Sequence, residues 1–384
     1  MTTTIKTDDP RELLALVPYQ LGFWPQESLV VVSLRRGGRA GLVVRADLTD
    51  LADLEHGPRM ARSLVGHVLD DGATQAVVVA FTDGPENEIR AAVRHWSEAA
   101  EHELGEPAAW VVSSSGYYGL DCADPSCCPP GGRPTAELQG TRVSAQMVLD
   151  GVQVAAGRAD LARIGQASSV ARKSARRARN RWAARAAGCG PVAGHPWRRA
   201  GLDLWRAEVV RVGAELGERS GAGVSAHPSL ASSAPTIGRL QAALDDVLVR
   251  DAVLLTLVPG ADRVADRVVA GDNGADVGRA LDVMLDPVRG VRPDPAVVEQ
   301  AGAVLEQLVA HDTRAGHTPA LTLLGLLAWW TGDGARAGAL VERALAARPG
   351  YRLAVLLDDA LMVGLPPGWV RAGQGRADVD RTIR

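Results

Sequence analysis

Three of the four cysteines, Cys122, Cys127 and Cys128, fall within seven residues in the stretch Ser113-Ser-Ser-Gly-Tyr-Tyr-Gly-Leu-Asp-Cys-Ala-Asp-Pro-Ser-Cys-Cys-Pro-Pro-Gly-Gly-Arg-Pro134. Zinc takes four thiolate or imidazole ligands at about 2.0 to 2.3 Å, and a Cys-x4-Cys spacing with Pro and Gly turning the chain suits such a knuckle. A fourth ligand is wanted, and Cys189 or His195, from Cys189-Gly-Pro-Val-Ala-Gly-His195, could supply it. The adjacency of Cys127 and Cys128 counts against the metal, because neighbouring side chains diverge. A reactive thiol is the second reading. It needs a lowered pKa from a helix amino terminus or a nearby cation, for which Arg133, His95 and His102 are the candidates. In the third reading Cys127 and Cys128 only fill a small apolar pocket beneath a Pro-rich loop. All three stay open on the sequence.

A second chemistry-bearing stretch is basic. Ala171 to Arg185 carries Arg172, Lys173, Arg176, Arg177, Arg179, Arg181 and Arg185 and no acid. At about 100° per residue Ala171, Ala175, Ala178 and Trp182 share one helical face while the charges fan around the rest. Such a helix repels itself unless an anion lies near: a nucleic acid, an acidic partner, or the chain's own acidic segment. Arginine is over-used throughout, with Lys6 and Lys173 the two lysines among 42 basic residues, so a solvated or internally paired helix is favoured over a phosphate-binding one.

Aromatics form a third group. Pro18 and Pro25 bracket Tyr19, Phe23 and Trp24, which could wall a pocket completed by Ser113, Tyr117 and Tyr118 at a following strand end. The plainer alternative is a hydrophobic staple leading into the first strand. The histidines show no paired spacing. No P-loop is present, since Lys173-Ser174 lacks the preceding glycines, and HExxH, EF-hand, GxSxG and CxxC patterns are absent too. Gly221-Ala-Gly-Val-Ser-Ala226 loosely fits a dinucleotide fingerprint but follows a helical segment rather than a strand.

The elements that must position these groups can be read from pattern. Ser28–Leu34 and Ala40–Ala46 are β-branched runs around the turn Arg36-Gly-Gly-Arg39, which predicts a hairpin. Pro58 opens a helix with Met60, Leu64, Val65, Val68 and Leu69 at helical spacing. Gln75–Phe81 reads as a strand buried on both faces, followed by a helix over 85–104 and a strand at Ala108–Ser113. This β-α-β order predicts that the sheet is partly parallel. Past residue 140 strand signals nearly vanish, and helices are expected at 141–156, 168–187, 196–217, 236–258, 261–270, 275–285, 295–310, 318–331, 335–347 and 351–363.

Leu324-Gly325, Ala328, Ala337, Val341, Ala344 and Pro349 sit at the offsets of a tetratricopeptide repeat, with Leu321 in place of its tryptophan. A shift of 34 residues recovers Ala303 and Ala310 but fails at Gln307 and Ala315, so a packed helical hairpin is favoured over a peptide-binding groove. The expected fold class is therefore an α/β amino-terminal domain with a mixed, partly parallel sheet, followed by an all-α region with a tetratricopeptide-like hairpin. The expected divisions are 1–140 with the cysteine loop, a basic helical segment 141–217, a Gly/Ser/Ala/Pro linker 218–235, a helical region 236–365 and a disordered tail 366–384.

Composition bounds the class. The chain has 384 residues, 46% hydrophobic, 23% charged and 4% aromatic, with net charge −3, which excludes a disordered tail, a collagen-like fibre and a disulfide miniprotein. Residues 1–157 hold 12 basic and 21 acidic groups, 158–211 hold 13 and 3, and 212–384 hold 17 and 21. The opening lacks a secretion signal, and the most apolar runs fall short of the roughly 18 to 20 residues of a membrane span. A cytoplasmic protein without a membrane partner is expected, one whose cysteines stay thiols or metal ligands.

Leu13-Leu-Ala-Leu-Val-Pro-Tyr-Gln-Leu-Gly-Phe-Trp-Pro-Gln-Glu-Ser-Leu-Val-Val-Val32 resembles the opening of an actinobacterial family known as a domain of unknown function, number 4192. Cys122-x4-Cys127-Cys128-Pro129, then Gly131 or Gly132 and Pro134, looks like that family's second hallmark, and the resemblance runs on through Arg352–Pro366. It implies no activity, and directs attention to the Pro18–Ser28 loop and the cysteine loop. The leading expectation is a regulatory or interaction protein that binds a protein partner and carries a candidate zinc loop. The alternatives are an enzyme using the cysteine loop at the strand ends, and nucleic-acid binding through 171–185.

Overall fold

In the computed structural model, which describes residues 9–187, 195–222, 232–272, 274–312 and 316–371, two compact units divide after Leu161. The first runs α1 (Pro10–Leu21), β1 (Ser28–Arg35), β2 (Arg39–Asp47), α2 (Leu48–Ala52), α3 (Gly57–Asp70), β3 (Ala73–Phe81), α4 (Glu86–Ala100), β4 (Ala108–Val112), β5 (Tyr117–Gly119), α5 (Ala136–Gln139), α6 (Arg142–Leu149) and α7 (Arg158–Leu161). Its sheet has the order β2-β1-β3-β4-β5. The β1–β2 hairpin is antiparallel, β3 lies antiparallel to β1, and the α4 crossover makes β3 and β4 parallel, with Phe81 opposite Val112.

Both sheet faces are buried, which is why β1 and β3 read as continuous apolar runs rather than alternating ones. Leu29, Val31, Val78, Ala80 and Val111 meet α2, α3 and α4 around Leu51, Val65, Val68 and Trp96. Val30, Val32, Val77, Val79, Phe81 and Val112 point to the other face and are equally buried, on the side of α1, α5 and α6. Asp71, at the end of α3, gathers the hairpin: its carboxylate accepts from Ser33 Oγ (2.6 Å), Arg35 Nε (3.0 Å) and the Leu42 N–H (2.9 Å).

The first turn of α1 is fixed by Asp9, whose side chain accepts from the Arg11 N–H, and by Pro10 at its first position; Gly22 ends it in the left-handed region at φ 77°. The expected Pro18–Ser28 loop is thus corrected at its start. Pro18 lies inside the helix, buried, a residue type that ordinarily signals a break.

The second unit is helical: α8 (Ser169–Ala187), α9 (His195–Ala222), α10 (Ala234–Leu244), α11 (Val247–Thr256), α12 (Asp262–Val269), α13 (Ala275–Leu285), α14 (Pro295–Ala310), α15 (Thr318–Thr331), α16 (Gly334–Ala347) and α17 (Arg352–Met362). The helix expected over 236–258 is two, because Asp246 leaves the helical register and its side chain caps α11, accepting from the Leu248 and Val249 N–H groups. At the centre lies α15, buried at every position from Thr318 to Trp330. His317, 1% exposed, caps it: Nδ1 accepts from the Ala320 N–H while Nε2 lies 3.0 Å from the Gln241 carbonyl. Gly325 lets α16 approach, since an added Cβ would stand 3.1 Å from Val341 Cγ2. Residues 366–371, assigned on sequence to the tail, pack onto this unit, with Trp369 Nε1 donating to the Trp330 carbonyl (2.7 Å). Residues 223–231 of the expected linker and 372–384 of the expected tail lie outside the described residues.

Candidate metal centre and a separate cavity

The cysteine loop hangs from the sheet edge. β4 and β5 pair antiparallel with Val112 opposite Tyr117, and Ser113 closes the turn between them, its N–H and its hydroxyl both donating to the Gly116 carbonyl at 2.9 Å. Alternation along β5 sends Tyr118 against the α4-side core and Tyr117 to the opposite face, where its hydroxyl donates to Glu137 Oε2 (2.9 Å). Burial, and then that carboxylate, push the Tyr117 phenol up to about 12.

After β5 the chain makes a compact turn. The Asp124 carbonyl accepts from the Cys127 and Cys128 N–H groups (3.1 and 2.8 Å), and its carboxylate from the Ser126 N–H and hydroxyl (2.8 and 2.7 Å), an Asx turn. Gly131 and Gly132 take φ of 85° and 80°, and Arg133 then exchanges both backbone hydrogen bonds with Tyr117, so the loop closes on β5. The Arg133 guanidinium donates to the carbonyls of Cys127 (2.8 Å) and Ser126 (3.0 Å) and braces the turn from outside.

This scaffold converges the thiols. The sulfurs of Cys122, Cys127 and Cys128 all lie within 4.8 Å of one another, and those of Cys127 and Cys128 are 3.9 Å apart. A zinc–thiolate tetrahedron with bonds of about 2.3 Å has edges of about 3.8 Å. The argument that adjacent cysteines must diverge is therefore overturned here: the turn at Asp124 rotates Cys127 and Cys128 so that both sulfurs face Cys122. The Gly119 N–H donates to Cys128 Sγ (3.3 Å), the outer support that metal-bound thiolates commonly receive. The Asp124 backbone N–H, then the Cys128 thiol, hold Cys122 below the usual thiol range, whereas Cys127, beside the Cys128 and Cys122 thiols, is pushed up to about 11.

Among the described residues the cluster consists of these three thiols, so a four-coordinate ion would keep one position open. Cys189 lies outside the described residues, and His195 opens α9 in the second unit, exposed. Of the cations proposed to activate a thiol, His95 is buried against the Leu51 carbonyl (2.9 Å), and His102 is exposed just beyond α4.

The aromatic segment has a separate place in the same unit. Tyr19 and Trp24 line a cavity of about 870 Å³ together with Pro18, Leu138, Val148, Leu149 and Val154–Ala156. Residues 22–24 pair with Ala155, whose carbonyl accepts from the Trp24 N–H and whose N–H donates to the Gly22 carbonyl, both at 2.9 Å. Phe23 is buried beneath, and Trp24 meets Phe81 edge-on at 6.2 Å. The lining includes no cysteine, histidine or carboxylate, and neither Ser113, Tyr117 nor Tyr118. It suits an apolar group rather than proton transfer.

Sequence reasoning passed over one feature at the carboxyl end of β3. Glu27 has φ 43°, an unusual conformation for a non-glycine residue, and its carboxylate accepts from Thr82 Oγ1 (2.6 Å), which in turn accepts from the Gly84 N–H (2.8 Å). Nothing local marks Glu27, because its partner is 55 residues away.

In the basic stretch Arg179 pairs with Asp245 (2.7 Å), and Arg185 lies over the Trp182 ring at 5.9 Å. Lys173, Arg176, Arg177 and Arg181 are exposed, as is Arg185, and Arg172 is half-buried.

No helix among the described residues is long and apolar enough to cross a membrane. Residues 10–368 match the model of the family described as a domain of unknown function (DUF4192). No curated protein and no solved structure matches the chain.

Proposed function

Since the chain belongs to the DUF4192 family, whose description carries no reaction, we propose from the geometry a regulatory or protein-interaction protein whose cysteine loop is organised by zinc. The observation that carries the metal is the convergence of three sulfurs within 4.8 Å on a turn fixed by backbone hydrogen bonds. Cys122, Cys127 and Cys128 would hold the ion, and the loop would then be rigid enough to present a constant surface. The interaction part is the helical region, with its tetratricopeptide-like offsets; in its support, Leu356, Met362 and Val363 stand more than half exposed along and just after α17. A cytoplasmic setting, in which thiols stay reduced, fits this reading.

Native mass spectrometry of protein purified without added metal, with free thiols counted before and after denaturation, tests it. One zinc per chain, lost in Cys122→Ser and in Cys127→Ser, is expected. No zinc after incubation with equimolar zinc, with freely titrating thiols, would overturn the metal.

The second reading, an enzyme, draws on the 870 Å³ cavity and on the open coordination position. It predicts turnover that disappears with Cys122→Ser, and a ligand protecting Trp24 fluorescence from quenching.

A further inference from the structure

We propose that α8 binds the sugar-phosphate backbone of a nucleic acid through Lys173, Arg176, Arg177 and Arg181. On a helix the i, i+4, i+8 residues Lys173, Arg177 and Arg181 form one ridge, with Arg176 beside it. All four are exposed, and none makes an ion pair among the described residues. Elsewhere many arginines meet acid, among them Arg35, Arg45, Arg90, Arg198, Arg206 and Arg211, while Arg36, Arg39, Arg59 and Arg62 stand exposed on other elements without forming such a ridge on one helix.

The opposite face of α8 is committed to the protein. Ala175 and Ala178 are buried, and α10 comes so close that a Cβ on Gly238 would collide with the Ala175 carbonyl. Arg179, on the flank, is tied to Asp245. The helix is thus held with its cationic ridge outward. Arg239 of α10, exposed, stacks over Trp182 at 5.9 Å beside Arg185 and extends the positive field sideways.

The occupant follows from what surrounds the charges. Eight residues of helix span about 12 Å, which faces three to four phosphates at about 3.4 Å of axis per phosphate on one strand. Guanidinium forks match phosphate oxygens two at a time. An anionic membrane is disfavoured, because the apolar stripe that would enter lipid is the one packed on α10. An acidic protein is disfavoured too, because the ridge has no exposed aromatic or aliphatic anchor at its centre.

Fluorescence anisotropy of the full chain with a labelled 25-base-pair DNA of arbitrary sequence, and with RNA of the same sequence, tests the proposal across salt. Four phosphate contacts give a log–log salt slope near −3.6, a loss on the order of 100-fold between 50 and 200 mM. Arg176→Gln/Arg177→Gln/Arg181→Gln should weaken binding at 50 mM more than tenfold and flatten the slope by about 2.7. The control Arg267→Gln/Arg279→Gln, removing two charges paired with Asp276, should change neither. Circular dichroism melts confirm that each variant is folded. A preference between DNA and RNA would name the natural backbone. Absence of binding to both at 50 mM, equal binding by the triple variant, or binding to anionic vesicles or a poly-glutamate peptide in place of nucleic acid would overturn it.

Discussion

The cysteine loop and the α8–α10 pair both bring reactive or charged groups to the surface, yet they hold them differently. In the loop, position comes from directional hydrogen bonds: Asp124 to Cys127 and Cys128, Arg133 to Tyr117, and the Gly119 N–H to a sulfur. In the helix pair, position comes from contact between small residues, Ala175 and Ala178 against Gly238. A directional site depends on each member singly, whereas a packed helix presents its charges collectively. Single substitutions should therefore abolish function in the loop and only erode it on the ridge, while stability should be sensitive at the small residues packed between α8 and α10 and tolerant in the loop.

The sharpest test of that contrast is Gly238→Val. Its side chain has no room before the Ala175 backbone, so a loss of about 3 kcal/mol or more in unfolding free energy is expected from denaturant titration. A melt within a degree of the parent would show that contact between α8 and α10 is not what positions the ridge.

Asp245→Asn comes next, at about 1.5 kcal/mol, since Arg179 and His317 both meet this carboxylate. Burial raises the Asp245 carboxyl, but His317 and Arg179 outweigh it and hold the group below its ordinary value. The folded state thus binds this proton less readily than the unfolded one. The stabilisation is complete above the ordinary aspartate value of about 3.9 and disappears as pH falls through the folded value. If the loop holds zinc as proposed, it should respond earlier, because thiolate ligands take up protons and release the metal as pH falls, before the second unit weakens. Metal release and unfolding followed together during acid titration would break the comparison if they coincided.

A smaller effect is expected from Gly132→Ala. At φ 80°, and with an added Cβ 3.0 Å from the Tyr117 carbonyl, the loop should lose about 1 to 2 kcal/mol of the proposed zinc affinity, roughly five- to thirtyfold, at little change in melting temperature. Arg90→Ala should be the least disruptive. Its pairs with Glu86 and Asp121 are exposed, and no measurable change in melting temperature is expected.

What could be read from the sequence divides along similar lines. Helices α13, α14 and α15 have the bounds expected, because Gly274, Asp294-Pro295 and His317-Thr-Pro319 mark their starts unambiguously. The β1–β2 hairpin and the parallel β3–β4 pair were legible from β-branched runs and the crossover rule. Hidden were features set by distant partners. Pro18 masked α1, although Asp9-Pro10 and Gly22 were sound start and stop signals. The Asp245-Asp246 pair looked like a helix surface because capping by Asp246 is indistinguishable, in composition, from solvation. Within the candidate centre the residue types were visible, but the direction of Cys127 and Cys128 depends on a turn whose hydrogen bonds the sequence does not spell out. Gly238 and Glu27 gave no local sign at all.

Helix α15 sets an order of events for the newly made chain. With Thr318 through Trp330 all covered in the finished unit, its surface has no side that water can keep. Part of that cover is α16 and α17, which lie downstream. During synthesis α15 thus emerges before it can be enclosed, and for the time needed to add about thirty more residues, some seconds at ribosomal speed, it is an uncovered apolar cylinder. A chain stopped between Thr331 and Arg352 would leave the apolar faces of α15 uncovered, and it is there that a chaperone would be needed.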